Sequence, residues 1–123
     1  MKTVVVLSLG SNCGNRNAQV SKAMTWLSSL LADVSSSPVY ETPEAYGRGD
    51  LYMNAVVKGE TPIPIEALNR LFKDYGYAHG RDCASRRKGE VPIDIDIVIA
   101  GDDILRPRDF NQQFFQIGYR QLS

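Results

Sequence analysis

The sequence predicts an α+β domain of the ferredoxin-like kind, an antiparallel sheet in the order β-α-β-β-α-β with both helices packed on one face. Three observations carry this. Two stretches space their apolar residues at three and four, as an amphipathic helix does. Alternating or β-branched runs before, between and after them read as strands, and the boundaries are marked by glycine and proline. At 123 residues the chain fits a single domain spanning positions 1–123, long enough to bury a core without disulfides.

The first strand, Thr3 to Leu9, is β-branched and is expected to turn at Gly10-Ser11-Asn12. Val20, Ala23, Met24, Leu27, Leu30 and Leu31 then form one stripe of a helix from about Asn15 to Ala32, and Trp26 beside the stripe is read as a residue of the core rim. Ser35 to Pro43 has weak alternation and two prolines, which predicts an edge strand. A loop from Glu44 to Asp50 leads to a strand over Tyr52 to Glu60, in which Tyr52, Asn54, Val56 and Lys58 face one way and Met53, Ala55 and Val57 the other. Pro62-Ile63-Pro64 starts a second helix with Ile65, Leu68, Leu71, Phe72 and Tyr75 as its stripe, ended by Gly76 or Gly80. Gly80 to Glu90 holds four cations and no apolar periodicity, the pattern of a basic loop that orders on an anion. The last long strand is Pro92 to Ile99, followed by a turn at Gly101-Asp102-Asp103, a strand remnant at Ile104-Leu105 and a tail from Arg106 with four aromatic residues.

Fourteen basic residues balance fourteen acidic ones, so no net field recruits nucleic acid or an anionic membrane. No segment has the length of a membrane span, and the apolar run at Val4 to Leu7 is too short for a secretory core, so a cytoplasmic protein is expected. Cys13 and Cys83 stand alone and read as reduced thiols.

The chemistry is concentrated in the last strand. Its alternation is expected to put four isoleucines on one face and Asp94 and Asp96 on the other, roughly 6.5 to 7 Å apart along the strand. Asp is a poor strand former, and two adjacent carboxylates without a basic residue between them call for a cation. Hard oxygen ligands at this spacing suit Mg²⁺, which takes one or two protein carboxylates and completes its shell with water and phosphate. Two solvated aspartates on a wet sheet face are the plainer alternative. Asn54, flanked by apolar residues, either faces solvent or awaits a polar ligand. With the basic loop next to the open face, these are the parts of a phosphoryl-transfer site.

The residues resemble a known family, the hydroxymethyldihydropterin pyrophosphokinases of folate biosynthesis. The resemblance rests on Leu9-Gly10-Ser11-Asn12, Tyr40-Glu41-Thr42-Pro43, Tyr52-Met53-Asn54-Ala55, Gly80-Arg81 and Asp94-Ile95-Asp96-Ile97, all in the family's order and spacing. It implies that Asp94 and Asp96 hold two Mg²⁺ ions on the triphosphate of ATP, and that a pterin lies near Thr42, Pro43, Tyr52 and Asn54. Arg81 would steady phosphate charge as a catalytic residue, with Arg86, Arg87 and Arg120 as further nucleotide contacts. The chain departs from the family pattern at several points. Lys88-Gly89-Glu90-Val91 stands where a Trp-Gly-Pro-Arg run is usual, Gln113-Phe114 replaces Pro-His, Leu122 replaces an aromatic residue, and Gly76 replaces an acid. The resemblance therefore implies ATP-dependent pyrophosphate transfer with release of AMP. A pterin- or nucleotide-binding module without efficient transfer, and an interaction domain using the open sheet face, are the alternatives.

Overall fold

The computed structural model describes residues 2–43, 51–80 and 90–122. Arg81, Arg86, Arg87, Cys83 and nearly all of the basic loop lie outside the described residues. Among those described, six strands and four helices follow one another: β1 (Thr3–Ser11), α1 (Arg16–Leu30), β2 (Ala32–Ser36), β3 (Tyr40–Pro43), β4 (Leu51–Thr61), α2 (Ile65–Ala78), β5 (Asp94–Ala100), β6 (Asp103–Ile104), α3 (Pro107–Phe110) and α4 (Gln113–Tyr119). The fold class is the predicted α+β with an antiparallel sheet. Strand order is β2-β4-β1-β5-β6, and β3 pairs with β4 alongside β2. No helix among the described residues is long and apolar enough to cross a membrane.

One face of the sheet is closed by the two long helices. Val5, Leu7 and Leu9 from β1, Ala55 and Val57 from β4, and Ile93, Ile95 and Ile97 at β5 meet Val20, Ala23 and Leu27 of α1 and Leu68, Phe72 and Tyr75 of α2. Helix α1 begins at Arg16, capped by the Asn15 side chain, which accepts from the amide of Ala18, and it ends at Leu30, two residues short of the expected Ala32. Leu71, expected in the buried stripe of α2, is 38% exposed, while Gly76 is buried inside the helix. The chain leaves α2 through His79 and Gly80, whose φ of +102° suits glycine. Trp26 does sit at the rim, stacked on Tyr75 at 4.5 Å and edge-on to Phe72 at 6.0 Å.

The other face is open only in part. The segment read as a tail forms α3 and α4, which lay Phe115 against Val6, Val56 and Val98, with Phe110, Phe114, Tyr119 and Leu122 around it. These aromatic residues are too few for a helical stripe to show in the sequence, yet together they shield apolar side chains that the sheet would otherwise expose. Tyr40 of β3 anchors the cap: its hydroxyl donates to the carbonyl of Phe114 and accepts from the amide of Gly118 at 3.1 Å. Burial pushes the Tyr40 phenol up to about 12. Gly118 is required by this close approach, since a Cβ there would lie 2.6 Å from Val56 Cγ2 and 2.7 Å from the Tyr40 hydroxyl.

Three expectations for the strands are corrected. The single edge strand read over Ser35 to Pro43 is two, β2 and β3, parted at Ser37-Pro38-Val39, where proline has no amide for the ladder. Gly10 and Ser11 are not a turn; β1 continues through them, because Gly10 pairs with Asn54 and Asp94, and Ser11 with Met53. Nor do four isoleucines share a face. Val6 pairs with Ile99 and Leu7 with Ile97, so Val98 is an extra residue in β5, a bulge that resets the alternation. Val98 and Ile99 therefore turn toward Phe115, and only Ile93, Ile95 and Ile97 join the helix-side core.

Candidate active site

The partly open face carries the polar cluster. Gly10 on the central strand is paired with Asn54 on one side and Asp94 on the other. In the next row Ser8 stands between Val56 and Asp96. Two strand spacings separate Asn54 from Asp94, about 10 Å across the sheet. With no side chain at Gly10, the floor between them is clear. A Cβ there would come within 3.4 Å of the Tyr52 ring and 3.7 Å of Asn54 Oδ1.

On the β4 side, Asn54 is only 3% exposed. Its amide nitrogen donates to Thr42 Oγ1 at 2.7 Å and to the carbonyls of Tyr52 at 3.2 Å and Tyr40 at 3.4 Å. The expectation of a solvent-facing amide is thus corrected: its NH₂ locks β3 onto β4, because a buried amide without partners would be costly. Thr42 is buried beside it, and Tyr52, two residues before Asn54, is half-buried on the same side of β4. Pro43 is exposed and by strand alternation points to the side opposite Thr42. Arg16 at the start of α1 ties the base of this corner, donating to Glu41 at 2.8 Å and to the carbonyl of Leu51 at 3.0 Å.

On the β5 side stand Asp94 and Asp96, with side chains 27% and 17% exposed. The sequence places no basic residue between them and looks to the basic loop for positive charge, but the fold supplies two cations from elsewhere. Lys73 of α2 brings its Nζ to 3.4 Å from Asp96 and 4.0 Å from Asp94. Arg106, just before α3, places a guanidinium nitrogen 3.8 Å from Asp96 while its Nε donates to the buried Asp109. The two cations do not cancel the cost of the pair. Burial, then the charge of Asp94 and a hydrogen bond with it, push Asp96 up to about 6 against the opposing pull of Arg106 and Lys73.

That donor set fits one kind of cation. Among the described residues no group of three or more His, Cys, Asp or Glu could hold a metal, which leaves a pair of hard carboxylate oxygens. A dication that needs only one or two protein carboxylates, with water and phosphate for the rest, matches this pair. Cys13 is a free thiol whose pKa is raised, first by burial and then by the charge of Glu90, so it is a poor nucleophile. Asn12 at the end of β1 donates its amide to the carbonyl of Val91 at 2.9 Å and accepts from the Val91 amide at 2.5 Å, holding Val91 at the edge of the site. Arg120 is exposed at the end of α4.

The family described as 7,8-dihydro-6-hydroxymethylpterin-pyrophosphokinase matches residues 6–122. The chain belongs to this family. The "Folate synthesis bifunctional protein" of Chlamydia trachomatis is 38% identical over 106 residues, covering 80% of this chain and 23% of that protein. The Arabidopsis thaliana protein of the same name is 30% identical over 99 residues, 79% of this chain and 20% of that one. The "2-amino-4-hydroxy-6-hydroxymethyldihydropteridine pyrophosphokinase" of Aquifex aeolicus is 34% identical over 108 residues, 85% of this chain and 65% of that one. The chain thus spans about a quarter of the length of the bifunctional relatives. Four of the five motif runs fall at the end of β1, in β3, in β4 and at the start of β5, and border the cluster around Gly10, while Arg81 of the fifth lies outside the described residues. Lys73 and Arg106 were missed because each is a lone surface-type cation in the sequence, and only the docking of α2 and α3 carries them to the carboxylates.

Proposed function

We propose that the chain transfers pyrophosphate from ATP to the hydroxymethyl group of 6-hydroxymethyl-7,8-dihydropterin, releasing AMP, as a cytoplasmic step of folate biosynthesis. The observation that carries this is the pairing of Asn54 and Asp94 across a side-chain-free Gly10, which sets the polar corner of Thr42, Tyr52 and Asn54 about 10 Å from a carboxylate pair. That separation suits a flat ring at one end and the phosphates of a nucleotide at the other. Tyr52 offers a face for the pterin, and Thr42 and Asn54, with the backbone at Pro43, present donors and acceptors to its edge. Asn54 Oδ1, on the Gly10 side, accepts from the ring.

Asp94 and Asp96 hold Mg²⁺, two ions on the family pattern, which supply charge neutralisation for the triphosphate. Arg81, Arg86, Arg87 and Arg120 contribute further positive charge to the phosphates. The substrate hydroxyl oxygen forms its bond to the β-phosphorus and gives up its proton to solvent, the bond from that phosphorus to the oxygen bridging it to the α-phosphorus breaks, and AMP departs carrying that oxygen. The chain's own work is to hold the hydroxyl and the β-phosphorus in line and to exclude water between them.

Isothermal titration with a nonhydrolysable ATP analogue and the pterin, with and without Mg²⁺, followed by assay of AMP release, tests the reading. Mg²⁺-dependent ternary binding with turnover is expected. Binding without turnover selects the binding module, and no binding leaves the interaction domain.

Two substitutions sharpen it. Asn54→Ala should weaken pterin binding by about 1 to 3 kcal/mol, the usual cost of unpaired groups in a desolvated site, with a much smaller loss for ATP. Because Asn54 also ties Thr42 to β4, urea unfolding must accompany the titration. Equal loss for both ligands together with lower stability would mean a folding defect. Val91→Arg restores a cation at a position whose backbone Asn12 already holds. It should raise the rate of AMP release much more than it tightens ATP binding, as a transition-state contact does. Equal rates in the two proteins under saturating Mg²⁺-ATP would dismiss that role for the position.

A further inference from the structure

Lys73 and Arg106 meet the same carboxylates but are held differently. Arg106 is fixed by its Nε bond to buried Asp109 and needs only one guanidinium nitrogen for Asp96. Lys73 has no such second anchor among the described residues: its stem rises from α2, its side chain is 45% exposed, and its ammonium lies between Asp94 and Asp96. A dication taking the carboxylate oxygens would displace it, since both would seek Asp96 Oδ1 and like charges at such range repel. An exposed lysine has the rotamer freedom to leave, and the closest anions then are the phosphates that arrive with the metal.

Resting on the function proposed above, we infer that Lys73 is an exchangeable counter-ion. It neutralises Asp94 and Asp96 before the metal binds, and becomes a ligand of the nucleotide's phosphates once the metal has taken its place. Arg106, tethered by Asp109, stays behind as the fixed positive charge on Asp96. Lys73 then gives this chain a cation at the phosphates in addition to the arginines that family resemblance supplies.

The exchange makes Lys73 oppose one ligand and favour the other, which a structural lysine would not do. For Lys73→Gln, Mn²⁺ alone, followed by electron paramagnetic resonance, should bind severalfold tighter than to the wild type, because the competing ammonium is gone. The affinity for a nonhydrolysable ATP analogue at saturating Mg²⁺ should fall about tenfold, the scale of one charge-assisted contact. Lys73→Arg should recover most of the nucleotide affinity. Unchanged nucleotide affinity in Lys73→Gln, or a shift of both affinities in the same direction, overturns the inference while leaving the proposed function standing. If the wild type binds neither Mn²⁺ nor the analogue, the function reading and the inference fall together.

Discussion

Asp96→Asn should abolish Mg²⁺-dependent nucleotide binding and at the same time make the protein more stable at neutral pH. The two effects have one cause, a carboxylate placed where charge is unwelcome until a cation comes. Its folded pKa of about 6 lies above the ordinary 3.8, so the folded chain keeps this proton to a higher pH than the unfolded chain does. Stability therefore falls as pH rises from about 4 to about 6, and the full penalty is present above that range. Two pH units correspond to at most about 3 kcal/mol, and partial exposure and sharing with Asp94 bring the expected gain in Asp96→Asn to roughly 2 kcal/mol at pH 7.5. At pH 4 the wild type and the variant should unfold together.

Mg²⁺ offers a second check on the same balance. It should raise the melting temperature of the wild type at pH 7.5, raise it less at pH 5, where a proton occupies the carboxylate, and leave Asp96→Asn unaffected. Thermal unfolding at the two pH values with and without Mg²⁺ reads all of this. Nucleotide affinity unchanged in Asp96→Asn would remove Asp96 from the metal site. A variant less stable than the wild type at pH 7.5 would mean that the pairs with Lys73 and Arg106 outweigh the burial and repulsion.

The second large effect lies away from the chemistry. Phe115→Ala should cost about 3 to 4 kcal/mol, because the ring is fully buried against Val6, Val56 and Val98, with Tyr119 stacked at 5.2 Å and Phe110 at 5.7 Å. Such a loss is a sizeable share of the stability of a domain of this size. Chemical denaturation at constant slope measures it. The consequence for function runs through Arg106 and Asp109, which border the same two helices: when α3 loosens, the fixed charge on Asp96 loosens with it. A cost below about 1 kcal/mol would show that the C-terminal helices are not part of the cooperative core.

Much of the fold was legible because periodicity reports burial directly. The stripes of α1 and α2 each record a one-sided environment, the β-branched run of β1 a strand covered on both faces, and the alternation of β4 its two faces, so the α+β class and the face bearing Tyr52 and Asn54 could be read from them. The carboxylate strand was legible for the opposite reason. Asp94 and Asp96 contradict the propensity of an isoleucine-rich strand, and a local conflict of that kind points to a function. The bulge at Val98 was not legible, because β-branched residues fill both faces and leave no alternation to break. Gly10 reads as a turn in isolation; its place in the middle of a strand is set by partners 44 and 84 positions away in the chain, Asn54 and Asp94.

By itself the sequence determined the sheet, its two long helices, the motif set of the family and the residue types of the site. Only the tertiary structure decided that Asn54 is a brace as well as a candidate ligand, that α3 and α4 close part of the second face, and that Lys73 and Arg106 pair with the aspartates. The difference is physical. Hydrophobic periodicity is a short-range record of which side of an element is dry, whereas a counter-ion or a capping ring is chosen by packing between segments far apart in the chain, and an exposed cation leaves the same trace in the sequence whichever carboxylate it finally meets.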